Sequence, residues 1–271
     1  MSENIKKNNF YLFVNKIGQK SILFVEEFGY LFTTLYQASY WLLLGSKKSQ
    51  RVKLNAIVQE IMNIGVQAIP IVSILTFAIG IMLAIQGIET LKTFGAESQV
   101  IIGIALSITR EFSPLIICIL VAGRSGSAIT AKIGSMKESQ EIDALRVMGI
   151  NPIRYLVSPI LVAMLIAVPS LVILGDFMGL LGGGIYTAFE LDITLNTYMQ
   201  RTLTLLSVDD IRQGLIKGFV FGILIALISC INGFMVSGGA EGVGRATTRS
   251  VVLAISAIVI TDMIFTFLLN R

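Results

Sequence analysis

Histidine is absent from this chain, cysteine occurs twice and proline five times in 271 residues, and charged side chains make up only 14%. Without histidine the commonest general base and metal ligand is gone. The two cysteines, Cys118 and Cys230, both sit inside apolar runs. They read as small buried hydrophobes, with neither a disulfide framework nor a metal-ligand spacing. No Walker A sequence occurs anywhere. The glycine-rich stretch Gly238–Arg245 lacks the Gly-Lys-Ser/Thr that a phosphate loop requires, so it reads as a flexible turn. No soluble segment interleaves Lys or Arg with aromatics, which sets nucleic acid aside despite a net charge of +4. These gaps leave no catalytic residue, metal site or cofactor to expect.

What fills the chain instead is apolar. Hydrophobic residues are 54% of it and the mean hydropathy is +0.80. A soluble core of this size does not need so much apolar surface, so the chain reads as an all-α polytopic membrane protein. Five runs have the length and composition of spans: Ile61–Ile88, Ser98–Gly123, Tyr155–Phe189, Gly218–Ala240 and Ser250–Asn270. The third is about 52 Å long if wholly helical, and its excess is expected to protrude or break near Gly182-Gly183-Gly184. Ahead of these, residues 8–46 mix Phe10, Tyr11, Phe13 and Ile17 with Lys16, Lys20, Glu26 and Glu27. Phe28–Ser46 then brings Tyr30, Tyr36, Tyr40 and Trp41. This composition suits a helix lying in the membrane interface, and the first twenty residues do not read as a cleaved signal.

Lysine and arginine set the orientation. Eleven lie on one side of the expected spans: Lys47, Lys48, Arg51 and Lys53, then Arg124, Lys132, Lys137, Arg146 and Arg154, then Arg245 and Arg249. Five lie on the other: Lys92, Arg201, Arg212, Lys217 and Arg271. The basic side faces the cytoplasm or its organellar equivalent.

Two features stand out against the apolar background. Arg110 and Glu111 sit at the centre of Ser98–Gly123, with twelve uncharged residues on either side. An ion in hydrocarbon costs several kcal/mol, so intramembrane charges face a cavity or a partner and mark a transport path. The plainer reading is a pair that neutralises itself. Adjacent residues point about 100° apart on a helix, which argues against it. The second feature is the inward loop. Ser135–Met148 has helix-forming composition, with Ser135 as cap, Glu138 at the capping-box spacing, and Gly149 and Pro152 as stop signals. Met136, Ile142, Leu145 and Met148 supply an apolar side, and Lys137, Glu138, Glu141 and Asp143 a polar one. Such a helix suits docking in a groove of a partner. Its acids argue against an anionic membrane surface.

These residues carry a resemblance. Arg110-Glu111-x-x-Pro114, AGRSGSA at 122–128, IGSM at 133–136, EIDAL at 141–145, MGINP at 148–152 and YLVSP at 155–159 occur in order. With Ile85-Gln86-Gly87, Lys217 and GVGRATTRSVV at 242–252, they resemble the MlaE permease family of lipid-moving ABC transporters that work with MCE proteins. The resemblance implies an N-terminal interfacial helix plus five transmembrane helices with a cytoplasmic coupling helix, divided as an interfacial region at 1–55 and a permease domain at 56–271. It implies a homodimer, a separate ABC ATPase subunit, an MCE-type substrate-binding protein and a lipid substrate, in a bacterial inner membrane or a plastid inner envelope. Arg110, Glu111, Gln86 and Lys217 would line a lipid cavity between the two copies. Lys137, Glu138, Glu141, Asp143, Leu145 and Gly149 would couple to the ATPase. Lys132 departs from the family, which usually carries Glu there. The competing expectation is a proton-coupled secondary transporter using Glu111, Asp176 and Asp262.

Overall fold

In a computed structural model, which describes residues 29–42 and 52–269, every regular element is helical. The helices are α1 (29–42), α2 (Leu54–Ile64), α3 (Ile69–Lys92), α4 (Val100–Ser107), α5 (Ser113–Val121), α6 (Ser127–Glu138), α7 (Glu141–Val147), α8 (Ser158–Glu190), α9 (Leu195–Leu205), α10 (Val208–Phe234) and α11 (Gly239–Leu269). A 3₁₀ turn, Val66–Ala68, joins α2 to α3. Two π-helical turns, Ile108–Phe112 and Ala122–Gly126, join α4, α5 and α6 into one rod. A third, Ile153–Val157, leads into α8. Five continuous apolar rods result: Leu54–Lys92, Glu97–Glu138, Ile153–Glu190, Val208–Phe234 and Gly239–Leu268. Each exceeds the roughly 20 residues that cross a bilayer. The chain is an all-α, polytopic integral membrane protein.

The second span ends fifteen residues later than expected, at Glu138 rather than Gly123, because α5 passes through the π turn into α6 without a break. The fourth begins ten residues earlier than expected, at Val208 rather than Gly218. A capping box starts it: Ser207 Oγ accepts from Asp210 N–H, and the Asp210 carboxylate accepts from Ser207 N–H. α9 fills part of the segment between spans three and four. Thr194 caps it, and Tyr198 is fully buried beneath it. The helix over 29–42 is about 20 Å long at 1.5 Å per residue. It packs on the bundle through fully buried Ala38. The expectation for residues 8–28 lies outside the described residues.

The expected break at Gly182-Gly183-Gly184 does not occur; α8 runs through it to Glu190. The glycines serve close approach instead. Gly175, Gly179 and Gly183 recur every fourth residue and form a groove on one face of α8. A Cβ on Gly80 of α3 would come 2.0 Å from the Gly179 carbonyl oxygen, and one on Gly182 would come 2.2 Å from that of Phe77. Backbone meets backbone here, so no side-chain rotation relieves an added methyl. The main core lies beside this seam, where Ile117, Val168, Val172 and Ile225 are almost wholly buried. Cys118 and Cys230 are free and fully buried within it.

Two further expectations at the basic end are corrected. Of Gly238–Arg245, only Gly238 and Gly239 form a turn, with φ of 96° and 68°; α11 has begun by Gly239. Pro152 does not prolong a stop. It sits at the N-terminal cap of the π turn that opens the third span, where a missing N–H costs nothing.

The α3–α8 seam yields a test. Gly80→Ala should lower unfolding stability by about 1–3 kcal/mol, the usual cost of overpacking a tight contact. Gly103→Ala, where a Cβ meets nothing within 4 Å, should be neutral or slightly stabilising. Thermal unfolding of both variants in detergent checks this; equal melting temperatures would remove the close-approach role.

Candidate functional site

The π turn Ile108–Phe112 carries Arg110 and Glu111 at the middle of the second span. A π turn adds a residue to the helical repeat and resets which face the following side chains occupy. α10 passes directly against this turn. A Cβ on Gly214 would lie 2.3 Å from the Thr109 carbonyl oxygen, so only glycine admits the contact. Asp210 and Lys217 stand four residues before and three after Gly214, on the same face of α10. They therefore flank the contact point and meet the two charges of the turn.

Arg110 Nε donates to Asp210 Oδ1 at 2.7 Å, and Nη2 reaches the same oxygen. Asp210 Oδ2 accepts from both the backbone N–H and the hydroxyl of Ser207, each at 2.8 Å. One carboxylate thus caps α10 and holds the arginine. On the other side of Gly214, Lys217 Nζ contacts Glu111 Oε2 at 2.5 Å and Asp262 Oδ1 of α11 at 2.8 Å. It also lies 3.2 Å from Thr266 Oγ1, whose hydroxyl donates to Glu111 Oε1 at 3.1 Å. The Lys217 side chain is 1% exposed, whereas Arg110 and Glu111 are 35% and 34% exposed. The buried members are the holders. The part-exposed members, Arg110 and Glu111, lie on the flank of the bundle. Two cations face three carboxylates, so the cluster carries a formal charge of −1.

Of the four residues expected at a lipid site, the structure brings Arg110, Glu111 and Lys217 together and leaves Gln86 apart. Gln86 is exposed on α3. It lines a groove of about 290 Å³ between α3 and α4 that reaches Ser107, three residues ahead of Arg110. Glu111 engages Lys217 of its own chain. Asp210 and Thr266 were not anticipated as site residues. For Asp210 a signal existed in the Ser-x-x-Asp spacing of the capping box; for Thr266 there was none.

The inward loop also differs from expectation. The helix over Ser135–Met148 is really two. α6 continues to Glu138, so Ser135 lies inside it and caps nothing. The chain then turns at Gln140, whose φ of 60° is left-handed, and α7 begins at Glu141. Gly149 does stop α7: with φ of 73° it donates to the Arg146 carbonyl, and Ile150 N–H reaches Leu145. Ile142 and Leu145 are buried against the bundle as an apolar face requires, but Met148 is 64% exposed. The acids all have partners, although Glu138 and Glu141 are exposed and the Asp143 side chain is half-exposed. Glu138 Oε2 accepts from Gly239 N–H at 2.9 Å, Glu141 takes the Ser139 hydroxyl, and Asp143 holds Lys137 and Arg146. What α7 offers outward is Val147, 89% exposed, beside Met148. Lys132 does not adjoin α7; its Nζ pairs with Glu60 of α2 at 2.7 Å.

Five membrane helices built around a small ionic cluster, with a short helix protruding between the second and third, define a polytopic membrane permease. Residues 57–268 match the family described as Permease MlaE, and the chain belongs to that family. It is 34% identical to a probable ABC transporter permease protein of Rickettsia typhi over 95% of this chain and 97% of the relative. It is 32% identical to the intermembrane phospholipid transport system permease protein MlaE of Haemophilus influenzae, over 94% and 96% of the two chains. It is 34% identical to protein TRIGALACTOSYLDIACYLGLYCEROL 1, chloroplastic, of Arabidopsis thaliana over 76% of this chain and 59% of that protein.

Lys217 is the member whose loss the cluster tolerates least. Lys217→Met leaves Glu111 and Asp262 facing each other without a cation, and removing one partner from a buried pair costs about 3–5 kcal/mol. The double variant Lys217→Met/Asp262→Leu should recover part of this loss. A double-mutant cycle on unfolding free energy measures it. Additive losses would show that the pair does not couple.

Proposed function

We propose that this chain is the membrane subunit of an ABC transporter that moves phospholipids or closely related lipids between membranes, driven by ATP hydrolysis in a separate subunit. The observation that carries the reading is the half-exposed arginine at mid-span. Arg110 keeps free N–H groups while Asp210 holds only one edge of its guanidinium. A planar guanidinium offers several fixed donors to a phosphate. Glu111, held by Lys217 and Thr266, is placed to accept from a headgroup hydroxyl or amine. The phospholipid transport for which the Haemophilus relative is named agrees with that chemistry. Two copies of the chain would bring two such flanks together around one lipid, with an MCE-type protein exchanging it on the less basic side.

Energy would enter through α7. Its apolar tip, Val147 and Met148, docks in a groove of the ATPase, while the Lys137–Asp143 pair ties α7 to the end of α6, Glu138 ties α6 to Gly239, and Glu141 takes the Ser139 hydroxyl of the connecting turn. Leu145 and Gly149 serve as its anchor and its stop. A proton-coupled carrier is the weaker reading, since Glu111 and Asp262 are both engaged by Lys217.

Arg110→Ala should abolish lipid transfer per assembled complex, and Arg110→Lys should recover little, because a point charge does not reproduce the two-donor geometry. Lipid transfer between labelled vesicles, normalised to complex, is the measurement. Wild-type transfer by folded Arg110→Ala would end the lipid-site reading. Independently, Val147→Asp should leave insertion intact and reduce ATPase recovery in pull-down at least tenfold, as for the loss of a buried apolar anchor of about 1.4 kcal/mol or more. Undiminished recovery would remove α7 as the docking element.

A further inference from the structure

A second cation in the second span has no carboxylate. Arg124 lies fourteen residues beyond Arg110, about 21 Å along the helix axis. With Arg110 at the bilayer centre, that places Arg124 past the roughly 15 Å half-thickness of the hydrocarbon and at headgroup level, on the end of the bundle that carries α7. Its two hydrogen bonds go to neutral oxygens: Nη2 to Gln67 Oε1 at 2.9 Å and Nη1 to the Asn63 carbonyl at 3.4 Å. Among the described residues no carboxylate is within ion-pair reach of it. A guanidinium in that position without a counter-ion calls for an anion from outside the chain.

The surroundings form a groove of about 230 Å³ between α2 and the start of α6. Lys132 lies on its rim, paired with Glu60, so two cations face one carboxylate. Ser125, 5% exposed, lines the same groove, and its hydroxyl has no partner among the described residues. The floor is apolar, made by Ile64 and Ile129, which are 2% and 4% exposed. A cationic rim over an apolar floor matches the phosphate and upper acyl chain of a lipid.

We infer that this groove is a binding site for the phosphate of an anionic phospholipid in the leaflet on the α7 side, separate from the transport site at Arg110. Arg124 is the principal phosphate ligand, Lys132 is subsidiary, and Glu60 competes with the phosphate for Lys132. The inference uses the orientation read from the basic residues but does not depend on the chain being a lipid transporter.

The test counts lipids retained by the full-length chain, purified with whatever partners accompany it. All variants are made in an Arg110→Gln background, so that lipid held at the mid-span cluster does not contribute. After reconstitution in nanodiscs of equal parts phosphatidylglycerol and phosphatidylcholine, native mass spectrometry reads the retained lipid. Phosphatidylglycerol should be retained in preference. Arg124→Gln should reduce that preference about fivefold, the effect of one basic side chain at an anionic surface. Glu60→Gln, which frees Lys132 and keeps Arg124, should raise it by a similar factor. If Arg124→Gln does not fold, Glu60→Gln decides alone. No change in either variant overturns the site. Displacement of the lipid by an excess of inorganic phosphate would assign the groove to the free anion and overturn the lipid assignment, whereas lipid retention undisturbed by phosphate supports it.

Discussion

A lysine ammonium that is 1% exposed inside a membrane bundle is the constraint on which much of this structure depends. Alone, Lys217 would destabilise the fold by several kcal/mol or lose its proton. Two carboxylates and a hydroxyl from other spans make it tolerable. Glu111 comes from span two, and Asp262 and Thr266 from span five. Satisfying one side chain therefore fixes three spans relative to one another at mid-membrane. The π turn at Ile108–Phe112 and the missing side chain of Gly214 let the elements come close enough for it. The same geometry delivers Arg110 to Asp210 and leaves its outer edge available.

Charge placement made half of this site legible in the sequence. Arg110 and Glu111 were conspicuous because nothing else in their span is charged. Their pairing was not, since Asp210 lies 100 residues from Arg110 and Lys217 lies 106 from Glu111, and pairing at that range leaves no local pattern; Lys217 entered only through the family resemblance. The same blindness misplaced the fourth span. Asp209, Asp210, Arg212 and Lys217 look like a polar loop, yet they form the first turns of α10, because a capping box and ion pairs satisfy them internally. A span read as a charge-free run ends too early wherever its charges have partners.

Backbone conformation accounts for the other misreadings. Glycines at 182–184 suggested a break, because glycine weakens an isolated helix. Packing against Phe77 reverses that tendency, since the absent Cβ lets two backbones touch. At the inward loop the helix-forming residues were recognised but the interruption was not. A left-handed glutamine at 140 follows from no propensity; it is imposed by burying Ile142 and Leu145 on the bundle. In the sequence Glu138, Glu141 and Asp143 read only as a polar face, which gives no sign of their bonds to Gly239, Ser139, Lys137 and Arg146.

The bond from Gly239 N–H to Glu138 has a mechanical consequence. It ties the end of span two to the start of span five, so at that end the two rods cannot part without stripping a carboxylate of its amide. Relative motion between them is then a rotation about a pinned corner, and displacement grows with distance from it. Asp262 lies 23 residues along α11 from Gly239, a lever arm of about 35 Å at 1.5 Å per residue. A tilt of about 5° at the corner, hardly visible there, moves Asp262 by about 3 Å. That is comparable to the whole length of its contact with Lys217, so leverage alone is enough to open or close the ionic cluster from the far end of the molecule.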